Sequence, residues 1–178
     1  MLVIAATEPE LAGVSGARTL VCGVGPVDAA FTTALALVRQ PPDAVLHVGL
    51  AGKHGFEEPE LVIGSESRYC DTDSRLVKAT VVPDADLLVA VRKALPSALV
   101  CPIGTSARVN GTTNCLVEAM EGFAVLRACE LAGVPAVELR VTANEITEPD
   151  RSKWRFGDAL DLLAATLPPL LEELRATR

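Results

Sequence analysis

Short, continuous runs of apolar residues alternate along this chain with longer segments of helical periodicity. Residues 44–50 form the most apolar run, and residues 136–142 repeat its character further along the chain. Strands that are apolar on both faces are typical of sheets covered by helices on both sides, because a sheet with one solvated face shows apolar–polar alternation. The sequence therefore predicts an α/β fold whose central sheet is covered on both faces.

The individual elements follow from apolar periodicity and from the residues that favour helix ends. The predicted strands are residues 2–6, 19–23, 44–50, 61–69, 79–82, 99–103 and 136–142. The predicted helices are residues 26–39, 84–95, 116–132 and 156–176, with a short helix or turn at 8–11. Asp84 is the expected N-cap of the second long helix, and Pro168-Pro169 predict a kink or a break in the last one.

The length and composition fit one domain, residues 1–178, and argue against several functions. Apolar residues make up 49% of the chain, enough for a full core. The net charge is −7 without any cluster of Lys and Arg, so nucleic acid is not an expected partner. The apolar runs are too short to span a bilayer and the first residues lack a basic leader, so we expect no membrane partner and a cytoplasmic location.

Cysteine and histidine are common metal ligands, but their spacing here does not indicate a metal site. The five cysteines form no C-x-x-C pair and most lie in apolar segments, which indicates reduced core thiols. His47 and His54 have no cysteine or carboxylate at ligand spacing beside them, so we expect neither a metal nor another cofactor. His47 falls within a predicted strand and is interpreted as a core residue with satisfied hydrogen bonds.

Glu121 falls on the buried side of the predicted helix 116–132. At about 100° per residue, Arg127 and Glu130 mark the solvent side of this helix, and Glu121 lies opposite them with Leu131. A carboxylate among apolar side chains is costly unless a polar group meets it. That group is either an internal arginine or helix N-terminus, or the hydroxyl pair of a ligand, and the pattern alone leaves both open.

Four further candidates lie near predicted strand ends, where ligands of such sheets bind. Gly25 offers a backbone N–H to an anion or a hydroxyl, or forms only a tight turn. Gly52 lets a ligand approach the backbone closely, or packs against a crossing helix. Glu10 is a general base for water or an exposed residue at a helix start. Asn144 pairs with the edge of a purine or forms an Asx turn. The loops concerned are residues 7–10, 23–26, 49–55, 104–114 and 143–151.

Five segments of the chain, in the same order, resemble the nucleoside phosphorylase/nucleosidase superfamily. They are Ala6-Thr7-Glu8-Pro9-Glu10-Leu11, Gly23-Val24-Gly25-Pro26-Val27-Asp28-Ala29-Ala30, Val48-Gly49-Leu50-Ala51-Gly52, Ala119-Met120-Glu121-Gly122 and Arg140-Val141-Thr142-Ala143-Asn144. The resemblance implies a three-layer α/β/α sandwich with a central mixed sheet. It also implies a small-molecule nucleoside substrate and assembly as a homodimer or larger homo-oligomer.

The resemblance also implies roles for individual residues. The catalytic residues would be Glu10, which activates water, Glu121, which grips the ribose hydroxyls, and Asn144, which meets the base. The substrate-binding residues would be Gly25, Gly52, Asn110, Met120, Glu121 and Arg108. Arg108 is a candidate partner for a carboxylate on the substrate's tail, or an exposed loop arginine.

Two departures from the superfamily pattern refine the expected reaction. Adenine-specific relatives carry Asp where this chain has Asn144, and an amide cannot readily give the base a proton, so a 6-oxopurine base is expected. Leu50 stands where phosphate-using relatives tend to have a hydroxyl residue, which favours water as the nucleophile.

The segments 143–144, 148–154 and 157–160 resemble the futalosine-hydrolysing branch of the superfamily. We therefore expect hydrolysis of futalosine to hypoxanthine and dehypoxanthine futalosine, a step of menaquinone biosynthesis. The alternatives are a methylthioadenosine/S-adenosylhomocysteine nucleosidase, a purine nucleoside phosphorylase, or a non-catalytic relative that binds a nucleoside.

Overall fold

The computed structural model describes residues 1–176, and within them eight strands form one sheet. The strands are β1 (Leu2–Ala5), β2 (Arg18–Val21), β3 (Val45–Lys53), β4 (Leu61–Tyr69), β5 (Thr80–Val81), β6 (Leu99–Thr105), β7 (Val117–Ala119) and β8 (Ala136–Glu145). The helices are α1 (Pro26–Arg39), α2 (Ala85–Ala94), α3 (Gly122–Ala132) and α4 (Phe156–Ala176), with short 3₁₀ helices at Glu8–Leu11 and Arg151–Lys153.

The sheet is mixed and partly closed on itself. β3 pairs in parallel with β1 and β8, and β8 pairs antiparallel with β4. β6 continues in parallel from β4, and β7 joins β6 to the far end of β3. The strands β3, β8, β4, β6 and β7 therefore form a closed ring, from which β1 and β2 extend on one side and β5 on the other. The predicted mixed sheet is confirmed, and the closure of the ring is a feature that the sequence did not reveal.

Helices cover both faces of the sheet. Successive strand residues point to opposite sides, so a strand that is apolar throughout presents an apolar surface on each face. Val3 and Ala5 of β1 pack in one apolar cluster with Leu163 and Leu167 of α4. Their neighbours Leu2 and Ile4 belong to a second cluster, which contains buried residues of α1 and α3. The predicted three-layer α/β/α arrangement is confirmed.

The predicted helix 116–132 is wrong in its first part. Val117 pairs with Ile103 of β6, so this stretch is a strand, and helix α3 begins only at Gly122. Sheet pairing on both sides of β7 outweighs the helical periodicity that the side chains suggest. Glu121 is thus the residue that precedes α3, and Leu131, expected on the buried side, is 71% exposed.

The ends and interiors of the other helices largely follow the local sequence. Asp84 caps α2 as predicted, since its Oδ1 accepts a hydrogen bond from the Leu87 N–H at 2.9 Å. The predicted break at Pro168 and Pro169 is absent, because α4 continues through both prolines to Ala176.

The described residues show neither a membrane span nor a cluster of metal ligands. No helix within residues 1–176 combines the length and apolar character needed to cross a bilayer. In the same range, no group of three or more His, Cys, Asp or Glu side chains is placed to hold a metal ion. All five cysteines are free thiols, of which Cys22, Cys115 and Cys129 are buried while Cys70 and Cys101 are half-buried.

Candidate active site

A cleft of about 400 Å³ opens at the carboxyl ends of β1 and β3, where β8 also ends. Seven residues that the sequence singled out line this cleft. They are Glu10, Gly52, Arg108, Asn110, Met120, Glu121 and Asn144. The remaining lining is mostly apolar and includes Val24, Leu50, Ala119, Ile146, Trp154, Phe156 and Leu160. The cleft therefore combines a few polar groups with apolar walls, as small-molecule sites usually do.

Glu10 lies in the 3₁₀ helix that follows β1, and its carboxylate is fixed by three hydrogen bonds. Oε2 accepts the N–H and the hydroxyl of Thr7, both at 2.8 Å. Oε1 accepts the N–H of Leu50 at 3.0 Å, which ties Glu10 to β3. The side chain is only 7% exposed, so the alternative of an ordinary surface glutamate is wrong.

Glu121 is buried at the junction of β7 and α3, with its two oxygens in different environments. Oε1 accepts the N–H of Gly25 at 2.9 Å, and Oε2 lies 3.5 Å from Nη1 of Arg140. An internal arginine is therefore present, but the carboxylate also faces the cleft. Burial raises the pKa of the Glu121 carboxyl above its ordinary value, and the charges of Glu10 and Glu138 add to the rise, while Arg140 and the Gly25 N–H oppose it.

Gly25 supports the site without lining the cleft. Its φ of 91° lies in the left-handed region that favours glycine, and it directly precedes Pro26, the first residue of α1. In this conformation its N–H donates to Glu121. Gly25 therefore positions a carboxylate that faces the cleft, and its expected contact with the substrate stays a prediction.

Arg140 is a fully buried residue whose position in the site the sequence analysis missed. Its Nε donates to Oε1 of Glu138 at 2.8 Å, and its Nη2 lies 2.5 Å from Nε2 of His47. Since Nδ1 of His47 donates to the carbonyl of Ile4 at 3.0 Å, Nε2 accepts from Arg140 and the imidazole is neutral. Burial, followed by the charge of Arg140, accordingly lowers the pKa of His47. The interpretation of His47 as a satisfied core residue is confirmed.

Two glycines make room for this buried network. A Cβ on Gly49 would lie 2.7 Å from Oε1 of Glu10 and would overlap the guanidinium of Arg140. A Cβ on Gly122 would overlap the carboxylate of Glu138. Glu10 and Glu121 thus share one side of the cleft with a single buried guanidinium between them and Glu138. Such an excess of carboxylate favours a ligand that develops positive charge.

Asn144 lies in β8, next to Gly52 of the paired strand β3. Its Nδ2 donates to the carbonyl of Glu145 at 2.9 Å. The second N–H and the amide oxygen have no protein partner among the described residues. Gly52 is paired in register with Asn144, and a Cβ there would lie 3.2 Å from Nδ2, so glycine keeps the amide accessible.

Arg108 and Asn110 belong to the loop at the mouth of the cleft. Asn110 adopts a φ of 77°, a left-handed conformation that asparagine tolerates better than most residues. The guanidinium of Arg108 is exposed and has no partner within residues 1–176. Trp154 and Phe156 also line the cleft, and they form an edge-to-face pair whose ring centroids are 5.3 Å apart.

The sequence and the fold of this chain are those of a known class of proteins. The family model of the phosphorylase superfamily matches residues 15–174, and the chain belongs to that superfamily. Among its relatives is futalosine hydrolase from Streptomyces coelicolor, 33% identical over 86% of this chain and 79% of that protein. Another is the 5′-methylthioadenosine/S-adenosylhomocysteine nucleosidase of Shewanella halifaxensis, 29% identical over 66% of this chain and 64% of that protein.

Solved structures agree with this assignment at the level of the fold. The 5′-methylthioadenosine/S-adenosylhomocysteine nucleosidase of Colwellia psychrerythraea, solved in complex with adenine, gives a TM-score of 0.83 at 21% identity and covers 97% of this chain and 94% of that chain. The corresponding enzyme of S. pneumoniae, solved with a transition-state inhibitor, gives 0.84 at 18% identity, over 97% of this chain and 98% of that chain.

Proposed function

We propose that this chain is a nucleosidase that hydrolyses the N-glycosidic bond of a 6-oxopurine nucleoside, with futalosine as the substrate. The observation that carries the proposal is the convergence of Glu10, Glu121 and Asn144 on one cleft. The identity to a futalosine hydrolase supports the choice of substrate. The products are hypoxanthine and dehypoxanthine futalosine, and no cofactor takes part.

Glu121 holds the ribose in this proposal. With Oε1 committed to Gly25 and Oε2 3.5 Å from Arg140, the carboxylate retains lone pairs that face the cleft. The 2′- and 3′-hydroxyls donate to it, while the adjacent Met120 contributes apolar lining. Its negative charge stabilises the positive charge that develops at the anomeric carbon in an oxocarbenium-like transition state.

Glu10 orients and deprotonates the attacking water. Its hydrogen bonds to Thr7 and Leu50 fix the carboxylate, and Oε1, which accepts only the Leu50 N–H, keeps acceptor capacity for the water. The water oxygen bonds to the anomeric carbon as the C1′–N9 bond breaks, its proton passes to Glu10, and the bonding electron pair leaves with the purine. Leu50 cannot hydrogen-bond an oxyanion, which supports water rather than phosphate as the nucleophile.

Asn144 stabilises the departing base. Its free N–H donates to N7 or to the 6-oxo group, where the leaving purine accumulates negative charge. A neutral amide suits a 6-oxopurine, which leaves as an anion more readily than adenine does without a proton on N7. Gly52 lets the base approach this amide, and Asn110 lies in the loop that would close the base pocket.

The mouth of the cleft fits an acidic aromatic tail on the sugar. Trp154 and Phe156 offer ring surfaces, and the unpartnered guanidinium of Arg108 offers a charge. Guanidinium pairs well with carboxylate, and futalosine carries a benzoate group.

Release of the base tests the proposal directly. Purified protein is incubated with futalosine, inosine and 5′-methylthioadenosine, each with and without phosphate, and the bases are separated by chromatography. We expect hypoxanthine from futalosine at a rate that phosphate does not change. Phosphate-dependent release from inosine would assign a phosphorylase instead. Adenine release alone would assign the second candidate, a methylthioadenosine/S-adenosylhomocysteine nucleosidase, which the relatives of that name favour. Tight nucleoside binding without base release would assign a non-catalytic relative.

The expected homodimer or larger homo-oligomer and the cytoplasmic location stay predictions. The outer surface of α1 and α3 supports self-association, since large apolar side chains are exposed there. They are Val27 (78% exposed), Phe31 (68%), Val38 (81%) and Leu131 (71%). Contiguous apolar surface of this kind marks interaction sites. Light scattering on the purified protein measures its mass, and a monomer at micromolar concentration would contradict the prediction.

A further inference from the structure

Arg140 is held at two of its three guanidinium nitrogens by residues that lie behind the cleft. Its Nε donates to Oε1 of Glu138 at 2.8 Å, and its Nη2 lies 2.5 Å from Nε2 of His47. Both partners are fully buried. A guanidinium is planar and rigid, so holding two of its nitrogens also fixes the third. The position of Nη1 is therefore set by Glu138 and His47.

The third nitrogen stops short of Glu121. Nη1 lies 3.5 Å from Oε2 of Glu121 and 3.5 Å from the carbonyl oxygen of Leu50. Hydrogen bonds between a charged nitrogen and a carboxylate are typically about 2.7–2.9 Å long. Arg140 therefore forms a short bond with Glu138 and only a long ion pair with Glu121, so more of the negative charge of Glu121 remains uncompensated.

The two residues that hold Arg140 are themselves fixed by the sheet. Glu138 and His47 are register partners on β8 and β3, and Nδ1 of His47 donates to the carbonyl of Ile4 at 3.0 Å. A Cβ on Gly122 would overlap the Glu138 carboxylate, and a Cβ on Gly64 would lie 3.6 Å from its Oε2. The carboxylate thus fills a space that two glycines leave open, and it has little freedom to turn.

We propose that Glu138 and His47 are positioning residues that hold the guanidinium of Arg140 back from Glu121. Without them, attraction between the opposite charges would close the 3.5 Å gap into a hydrogen-bonded ion pair. Such a pair would compensate the charge that Glu121 offers to an oxocarbenium-like transition state. The effect on catalysis rests on the proposed function, whereas the effect on the position of Arg140 does not.

The ionisation of Glu121 reports where Arg140 lies. The titratable and charged groups that face this carboxyl are Arg140 and Glu138 of β8, Glu10 after β1 and the thiol of Cys22 after β2. Burial raises the pKa of Glu121 and Arg140 opposes the rise, so a closer guanidinium would lower that pKa. Burial also raises the pKa of Cys22 to about 12, so its thiol stays neutral.

Substitutions at His47 test the position of Arg140 without changing any charge, because the imidazole is neutral. His47→Leu and His47→Gln both lose the N–H that bonds to Ile4, but only glutamine offers an oxygen to Nη2 of Arg140. The difference between the two variants therefore isolates the acceptor. We expect the pKa of Glu121 to fall in His47→Leu and to return towards the wild-type value in His47→Gln.

Carbon-13 NMR of the side-chain carboxyl groups measures this pKa, and the Glu121 signal is assigned by its absence from Glu121→Gln. The same pKa in the wild type and in His47→Leu would overturn the proposal. Because the titration needs no substrate, it decides the position of Arg140 even if the wild type releases no base. A failure of the proposed hydrolysis is thereby kept apart from a failure of this inference.

Kinetics with inosine or futalosine test the consequence for catalysis. In His47→Leu, kcat should fall about tenfold or more while KM changes little, because the compensated charge is needed in the transition state. His47→Gln should recover most of the loss. A merely structural role would lower the melting temperature of His47→Leu but leave kcat and the pKa of Glu121 unchanged, and that result would contradict the proposal.

Glu138→Gln is a second variant, which leaves His47 intact. It keeps an oxygen for Nε of Arg140 but weakens the bond by removing its charge. Loss of a negative neighbour alone would leave Glu121 more ionised and would not reduce kcat. The proposal instead expects kcat to fall about tenfold or more, together with the pKa of Glu121. An unchanged or higher kcat would overturn it.

Glu66→Gln is the matched control. Glu66 and Arg68 also stand two apart on one strand and form an ion pair, but they do so on β4 with their side chains partly exposed. This variant should leave both kcat and the pKa of Glu121 at their wild-type values. If Glu66→Gln changed them as much as Glu138→Gln does, the effect would not come from Arg140 and the proposal would be wrong.

Discussion

Glu121 accepts a hydrogen bond from the backbone N–H of Gly25 at 2.9 Å, although 96 residues separate them in the chain. The bond joins the turn between β2 and α1 to the junction between β7 and α3. It satisfies one oxygen of a buried carboxylate and leaves the other between Arg140 and the cleft. The position of the carboxylate thus depends on the whole of the surrounding fold.

Glu121→Gln should reduce kcat by about 100- to 1000-fold while the protein stays folded, because the amide keeps the shape but loses the charge that stabilises the oxocarbenium-like state. Steady-state kinetics with futalosine or inosine measure the loss, and circular dichroism checks the fold. Glu130→Gln is the control, since Glu130 lies on the exposed side of α3 and pairs with Lys78 at the surface. Turnover unchanged by Glu121→Gln would remove Glu121 from the site.

The raised pKa of Glu121 predicts how stability varies with pH. The folded protein binds the Glu121 proton more tightly than the unfolded chain does. In the unfolded chain the pKa of this carboxyl has its ordinary value of 4.5. This group's contribution to the free energy of unfolding is therefore complete below 4.5 and is lost as the pH rises through the raised value. Urea titrations across this range should show a steeper loss of stability for the wild type than for Glu121→Gln, which has no proton to lose. Parallel curves would contradict the burial cost assigned to this carboxylate.

Arg140→Met should lower the free energy of unfolding by about 3–5 kcal/mol, the usual cost of leaving a buried charge without its partner. Glu138 would lose its 2.8 Å ion pair, and the imidazole of His47 would lose its donor. The double variant Arg140→Met/Glu138→Leu should recover part of the loss, because it removes both charges. Arg155→Met, which breaks an exposed pair with Asp158, should cost less than about 1 kcal/mol. Chemical denaturation measures all three variants.

Asn144→Asp should shift preference from 6-oxopurine to adenine nucleosides. A carboxylic acid can protonate N7 of adenine and thereby activate it as a leaving group, which an amide does not do. The ratio of adenine to hypoxanthine released from equimolar adenosine and inosine should rise at least tenfold. An unchanged ratio would show that Asn144 does not contact the base.

Gly49→Ala should impair both stability and activity. The added methyl group would meet the carboxylate of Glu10 and the guanidinium of Arg140, and forced repacking of this kind costs about 1–3 kcal/mol. Gly157→Ala in α4 is the matched control, because no atom lies within 4 Å of the new Cβ. Thermal unfolding and base release should both decline for the first variant and remain unchanged for the second.

The sequence predicted the layers of the fold because apolar runs and helical periodicity report burial directly. Residues 44–50 were recognised as a central strand on that basis, although β3 extends to Lys53 through its pairing with β7 and β8. Pairing between distant segments has no local signal, which explains why the sequence predicts the start of a helix where β7 lies. The burial of Glu121 was predicted correctly, but it arises from the sheet and from Arg140 rather than from helix packing.

The candidate site was predicted in part. The helical pattern singles out Glu121, the strand ends single out Glu10 and Asn144, and the resemblance implies their roles. All three line one cleft. The sequence does not reveal the network of His47, Glu138 and Arg140, because its hydrogen bonds join residues on different strands or two positions apart on one strand. One signal was available: Glu138 and Arg140 stand two apart and alternate with the apolar residues Val137, Leu139 and Val141, so they point to the same buried face.

The closed ring of strands leaves the sheet with two short edge strands. These are β2, of four residues, and β5, of two. Unpaired N–H and C=O groups along a long edge strand act as a template on which another chain can add a strand and begin to aggregate. Both edge strands are short here, so the architecture itself discourages strand addition between copies of the chain.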